Sequence, residues 1–125
     1  MMEHSQAFLE VVENAKSRIR EVSVKSVRKK LDKQQGFYFI DIREDHEWYK
    51  GCAEGAVHLG KGIIERDIEN LVLDQQDEIV LYCGGGYRSA LAADVLQRMG
   101  YSNVFSMTGG YKDWVQAGYP VSQTR

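Results

Sequence analysis

Apolar residues recur along this chain at two different periods. Phe8, Val12, Ala15 and Ile19 fall on one stripe at helical spacing, and Ser5 stands where an N-cap belongs. A short strand is expected around Glu21 and Val22. Ser23 then caps a helix with Val24, Val27 and Leu31 turned inward, and Gly36 is expected to end it. Residues 37–42 are aromatic and β-branched and read as a buried strand. Residues 45–50 read as a short helix closed by Gly51. Val57, His58 and Leu59 suggest a short strand, and Ile63, Ile64, Ile68 and Leu71 a helix. The polar run 74–77 is a turn.

Residues 79–82 form the clearest strand of the chain. After the loop that follows it, a helix is expected from about Ser89, with Ala92, Val95, Leu96 and Met99 buried and Gly100 as its stop. Val104 and Phe105 make a last strand. Gly109 and Gly110 open a final helix that contains Trp114 and ends at Gly118. Strands thus alternate with helices throughout, the pattern of an α/β domain with a mostly parallel central sheet and helices on both faces. No repeat, low-complexity stretch or linker divides the chain. The expected organisation is an amphipathic helix over residues 1–20, packed on a domain that spans 21–125.

At 125 residues the chain suits one domain with one real core. Its formal net charge is −2. Without a basic excess or a basic amphipathic face, neither nucleic acid nor a membrane surface is an expected partner. The first residues carry acidic side chains and no apolar signal-type core. No stretch approaches the roughly 20 apolar residues of a membrane span. A cytoplasmic protein is expected. It has two cysteines, Cys52 and Cys83, and three histidines, His4, His46 and His58. Their spacing fits no zinc site, and in a reducing compartment no structural disulfide is expected. Neither a metal nor a cofactor is called for.

The chemistry concentrates after the clearest strand. Ligand sites in open α/β sheets lie at the carboxyl ends of strands, and there the chain reads Cys83, Gly84, Gly85, Gly86, Tyr87, Arg88, Ser89. Consecutive glycines let a backbone curl so that several N–H groups face inward, and the following helix adds the positive end of its dipole. A thiolate is the reactive form of cysteine, and such surroundings favour it. Arg88 adds charge or ties the loop down. Ser89 caps the helix or donates a hydrogen bond.

With these residues in view, the sequence resembles the rhodanese-like domains over roughly residues 21–121. The shared motifs are Phe39, Ile40, Asp41, Ile42, Arg43 and Glu44; then Glu47 and Gly51; then Gly55, Ala56, Val57, His58 and Leu59. The loop 83–89 comes next, followed by Gly109, Gly110, Tyr111, Lys112, Asp113 and Trp114, and by Gly118, Tyr119, Pro120 and Val121. The resemblance implies a three-layer fold with a five-stranded parallel sheet. It also implies a sulfurtransferase whose Cys83 accepts sulfane sulfur as a persulfide, cradled by residues 84–89. Thiosulfate or another persulfide would be the donor, and a small or protein thiol, or cyanide, the acceptor. Asp41 and Arg43 would serve as supporting residues that tie loops near the site. Four residues separate Cys83 from Arg88; related phosphatases have one more, and a tighter ring suits a single sulfur better than a phosphate. A non-catalytic binding module and a cysteine phosphatase or arsenate reductase are the alternatives. Monomer and homodimer both stay open.

Three positions depart from the family pattern. Cys52 stands where a histidine is usual, as a packed residue or a resolving thiol. Gly60 replaces a frequent proline. Glu47 stands where some thiosulfate-using members carry an arginine, and an acidic residue does nothing to attract an anionic donor.

Overall fold

The structure is a computed structural model and describes residues 4–123. Helix α1 (Gln6–Lys16) starts at Ser5, whose hydroxyl accepts from the Phe8 N–H at 3.1 Å. It buries Val12 and Ala15. The chain then forms β1 (Arg20–Val22) and α2 (Val24–Asp32), where the Ser23 hydroxyl accepts from Ser26 N–H. The turn out of α2 differs from the expectation. The helix ends at Asp32, ahead of the expected Gly36, and Gln34 makes the left-handed turn (φ 56°).

Strand β2 (Tyr38–Asp41), helix α3 (Asp45–Lys50) and the short β3 (Cys52–Ala53) and β4 (Val57–His58) follow. A 3-10 turn (Lys61–Ile63) leads into α4 (Ile64–Leu71). Ile64 and Ile68 enter the core, while Ile63, which precedes α4, is 42% exposed and lies off the expected stripe. Strand β5 (Ile79–Tyr82) ends at the cysteine loop. Helix α5 (Tyr87–Arg98) begins at Tyr87, two residues before the expected start. Its N-cap is Gly86 at φ 100°, a backbone angle that side chains with Cβ rarely adopt. Strand β6 (Val104–Met107), helix α6 (Gly110–Gln116) and β7 (Val121–Ser122) complete the fold.

The main sheet has five parallel strands in the order β1-β6-β5-β2-β4. Strand β5 is central, and all four of its residues are buried. Its residues alternate between two cores. Ile79 and Leu81 join Ile40, Ile64, Ile68, Ala92 and Leu96 on the side of α4 and α5. Val80 and Tyr82 join Phe39, Val27, Met107 and Trp114 on the side of α2 and α6. This gives the three-layer α/β architecture that the alternation predicts. A small antiparallel pair, β3 with β7, lies outside the main sheet. Among the described residues no helix is long and apolar enough to cross a membrane.

Helix α1 lies on α5. Arg18 reaches Asp94 of α5 with two hydrogen bonds, Nε to Oδ1 at 3.0 Å and Nη2 to Oδ2 at 2.7 Å. The Arg18 carbonyl accepts from Gln97 at 2.8 Å. The interaction holds the Asp94 carboxyl below its ordinary pKa.

Candidate active site

Cys83 follows the last residue of β5, at the carboxyl edge of the central strand, and is 1% exposed. The loop curls around its sulfur. Gly86 N–H and Ser89 N–H donate to Sγ at 3.2 and 3.3 Å, and the Ser89 hydroxyl lies 3.6 Å away. The donors come from the N-cap and first turn of α5, so the helix directs the positive end of its dipole at the sulfur. Two amides of α6 hold the loop from behind: Tyr111 N–H bonds the Cys83 carbonyl at 2.8 Å and Lys112 N–H the Gly84 carbonyl at 3.0 Å. The approach is so close that a Cβ on Gly110 (φ 55°) would lie 2.3 Å from the Cys83 carbonyl oxygen.

Ser89 is a first-turn residue of α5 rather than its cap. Its buried hydroxyl is 2.7 Å from that of Ser106 on β6. Arg88 turns out of the loop to Glu47 of α3, with Nη1 to Oε1 at 2.9 Å and Nη2 to Oε2 at 3.2 Å. The hydrogen bonds from Arg88 hold the Glu47 carboxyl at a pKa of about 2 against an ordinary 4.5, despite partial burial. The same pairing raises Arg88 above its ordinary value.

Asp41 and Arg43 form a buried unit beneath the loop. The Asp41 carboxylate accepts from Arg43 N–H, Nε and Nη2, and from the Tyr82 hydroxyl at 2.6 Å. Arg43 also reaches the Gly51 carbonyl at 2.7 Å, and its guanidinium sits 4.1 Å from the Tyr111 ring centroid. Tyr82 in turn accepts from Ala53 N–H at 3.0 Å. These residues join the ends of β2 and β5 to β3 and α6. Cys52 is buried, and burial pushes its thiol above the ordinary pKa.

Cys83 borders a cleft of about 750 Å³. Its floor is Cys83, Gly84, Gly85 and Arg88. The remaining lining comes from Glu47 and His46 of α3, Lys112 of α6, and Tyr87 with Ser5, Phe8 and His4 from the N-terminal segment. A second cleft of similar volume, around Leu73, Gln75 and Tyr101, has no cysteine or histidine in its lining.

Of the loop residues singled out in the sequence, Gly84, Gly85, Tyr87 and Arg88 line the cleft with Cys83, while Gly86 and Ser89 meet the sulfur through their N–H groups. Asp41 and Arg43 do not line it. The sequence reading missed Phe8, His4, His46, Lys112 and Ser106. Ser106 left one signal, a polar residue at an inward position in the otherwise apolar run Val104, Phe105, Ser106, Met107. The helical spacing of Phe8 favours packing and does not mark it as part of a cleft.

The chain is similar to known proteins in sequence and in fold. A family model described as rhodanese-like domain matches residues 23–117. Thiosulfate sulfurtransferase GlpE of Haemophilus influenzae is 34% identical over 91 residues, which are 73% of this chain and 85% of that one. YrkF of Bacillus subtilis is 33% identical over 102 residues, and the match covers 82% of this chain but 54% of that longer protein. Among solved structures, a Rhodopseudomonas palustris protein of unknown function, suggested as a tyrosine phosphatase, superposes with a TM-score of 0.84 at 27% identity over 98% of each chain.

Proposed function

The chain belongs to the rhodanese-like domain family, and on that premise we infer that it is a sulfurtransferase carrying sulfane sulfur as a persulfide on Cys83. The observation that carries this reading is the cysteine itself: its sulfur accepts two backbone N–H bonds at a helix N-terminus, and the residue borders a cleft. The relatives named as sulfurtransferases support the same class of reaction.

The Cys83 thiolate attacks the outer sulfur of thiosulfate or of another persulfide. A new S–S bond forms, and the donor's own bond to that sulfur breaks, its electron pair leaving on sulfite or on a thiolate. The resulting persulfide keeps the negative charge, and the N–H groups of Gly86 and Ser89 stabilise the inner sulfur. A thiolate or cyanide then attacks the outer sulfur, and Cys83 returns as a thiolate. This is covalent, two-step chemistry. It uses no metal or cofactor. The acceptor is a small molecule or a protein thiol.

A second reading, phosphate-ester hydrolysis, draws on the Rhodopseudomonas palustris neighbour. The Glu47 carboxylate weakens it, since it already occupies the Arg88 guanidinium that a phosphate would need. Mass spectrometry separates the two. Incubation with thiosulfate or a low-molecular-weight persulfide should add about 32 Da to Cys83, one sulfur, removable by cyanide or reductant. Sulfur transfer surviving in Cys83→Ser would refute the proposal, and turnover of an aryl phosphate would favour the second reading.

A further inference from the structure

The cleft above Cys83 has a charge and a shape that discriminate among sulfane-sulfur compounds. Arg88 is the one basic side chain in the loop 83–89, and both Glu47 oxygens engage it. The pair is neutral overall, and both of its residues line the cleft. An entering dianion meets a negative group there, and a guanidinium whose charge is already paired. Lys112 is the remaining lysine or arginine of the lining.

Another wall is aromatic. His4 lies against Tyr87 with ring centroids 4.6 Å apart, Phe8 against Tyr87 at 6.3 Å, and His4 against Phe8 at 5.1 Å. The Lys16 ammonium sits 5.5 Å from the Tyr87 centroid and helps to fix that ring. The N-terminal segment that supplies the wall is itself anchored by Arg18 and Asp94. The space of about 750 Å³ falls within the roughly 300–1,000 Å³ that holds whole organic ligands. Thiosulfate leaves most of it to water and makes no use of ring faces.

We propose that this cleft selects a sulfane-sulfur substrate with a ring-sized apolar body and one negative charge, an organic persulfide or thiosulfonate, over the compact dianion thiosulfate. The inference rests on the sulfurtransferase reading of Cys83. Phe8 and Tyr87 receive the body, and Glu47 disfavours the second charge. With a thiosulfonate the step balances as before. Sulfur bonds to Cys83, its bond to the sulfonyl sulfur breaks, and a sulfinate leaves with the electron pair.

Three donors separate body from charge: thiosulfate, methanethiosulfonate and benzenethiosulfonate. Each kcat/KM, with cyanide as acceptor, is divided by the rate of that donor with free cysteine. Benzenethiosulfonate should exceed methanethiosulfonate by about tenfold or more, and methanethiosulfonate should exceed thiosulfate. Phe8→Ala should shrink the benzene-to-methane ratio about tenfold, and Phe8→Leu, which keeps apolar packing, should shrink it too. Glu47→Gln should raise thiosulfate relative to methanethiosulfonate. Equal normalised values for the three donors, with Cys83 still gaining sulfur, would overturn the selection and leave the sulfurtransferase reading standing. A Cys83 that takes sulfur from none of them would overturn both.

Discussion

Ser89 and Ser106 share a hydrogen bond of 2.7 Å between α5 and β6, and both are fully buried. Ser89 also turns its N–H to the Cys83 sulfur, so the bond fixes the residue that helps to hold the nucleophile. Ser89→Ala should cost about 1–2 kcal/mol, because it strands the Ser106 hydroxyl without a partner. Adding Ser106→Ala should cost less than the sum of the two single changes. Urea unfolding of the two single variants and the double variant checks this; strict additivity would show that the hydroxyls are not coupled.

The Glu47–Arg88 pair predicts a pH signature. Glu47 titrates at about 2 when folded and near 4.5 when not. Its pairing therefore stabilises the fold fully above 4.5, and that stability is lost as pH falls toward 2. Its side chain is 27% exposed, so screening leaves about 1–2 kcal/mol of the shift. Glu47→Gln should be less stable than wild type by that amount at pH 7, with the gap closing between 4.5 and 2. Thermal melts across that range give the comparison.

Gly110 offers a structural test of the loop clamp. Its φ of 55° and the Cβ position 2.3 Å from the Cys83 carbonyl leave no room for a methyl group. Gly110→Ala should cost about 2–4 kcal/mol and slow persulfide formation, since α6 must withdraw from the loop. A variant with unchanged melting and unchanged sulfur uptake would show that the clamp is dispensable.

Asp94 anchors the N-terminal helix through Arg18. In Asp94→Asn, α1 amides should exchange hydrogen faster, while β5 amides keep their protection. Added salt should narrow the difference, because Arg18 is half exposed.

Much of the fold is readable where local rules suffice. Ser5 and Ser23 announce their helices through side-chain caps, and Ile79 to Tyr82 announce the central strand by apolar content alone. The Cys83 loop is equally visible, because its glycines, arginine and following helix are contiguous. The left-handed turn at Gln34 carries no such mark, because a helix that stops early needs its turn before the glycine arrives. The pairing of Glu47 with Arg88 spans 41 residues and depends on α3 and α5 emerging at neighbouring strand ends, which no local pattern encodes. Phe8 shows the same limit. Its spacing marks a buried stripe, but only the packing of α1 on α5 makes it part of the cleft.

The sheet order has a consequence for how the chain is made. Strand β1 pairs with β6, Arg20 opposite Phe105 and Val22 opposite Met107, and with no other strand among the described residues. During synthesis the N-terminal segment emerges first but has no docking place until most of the chain has followed. The nucleophile's strand can pair with β2 before that. The aromatic wall and the clamp on the Cys83 loop both rest on contacts between segments far apart in the sequence, so the cleft forms only when nearly the whole domain is in place.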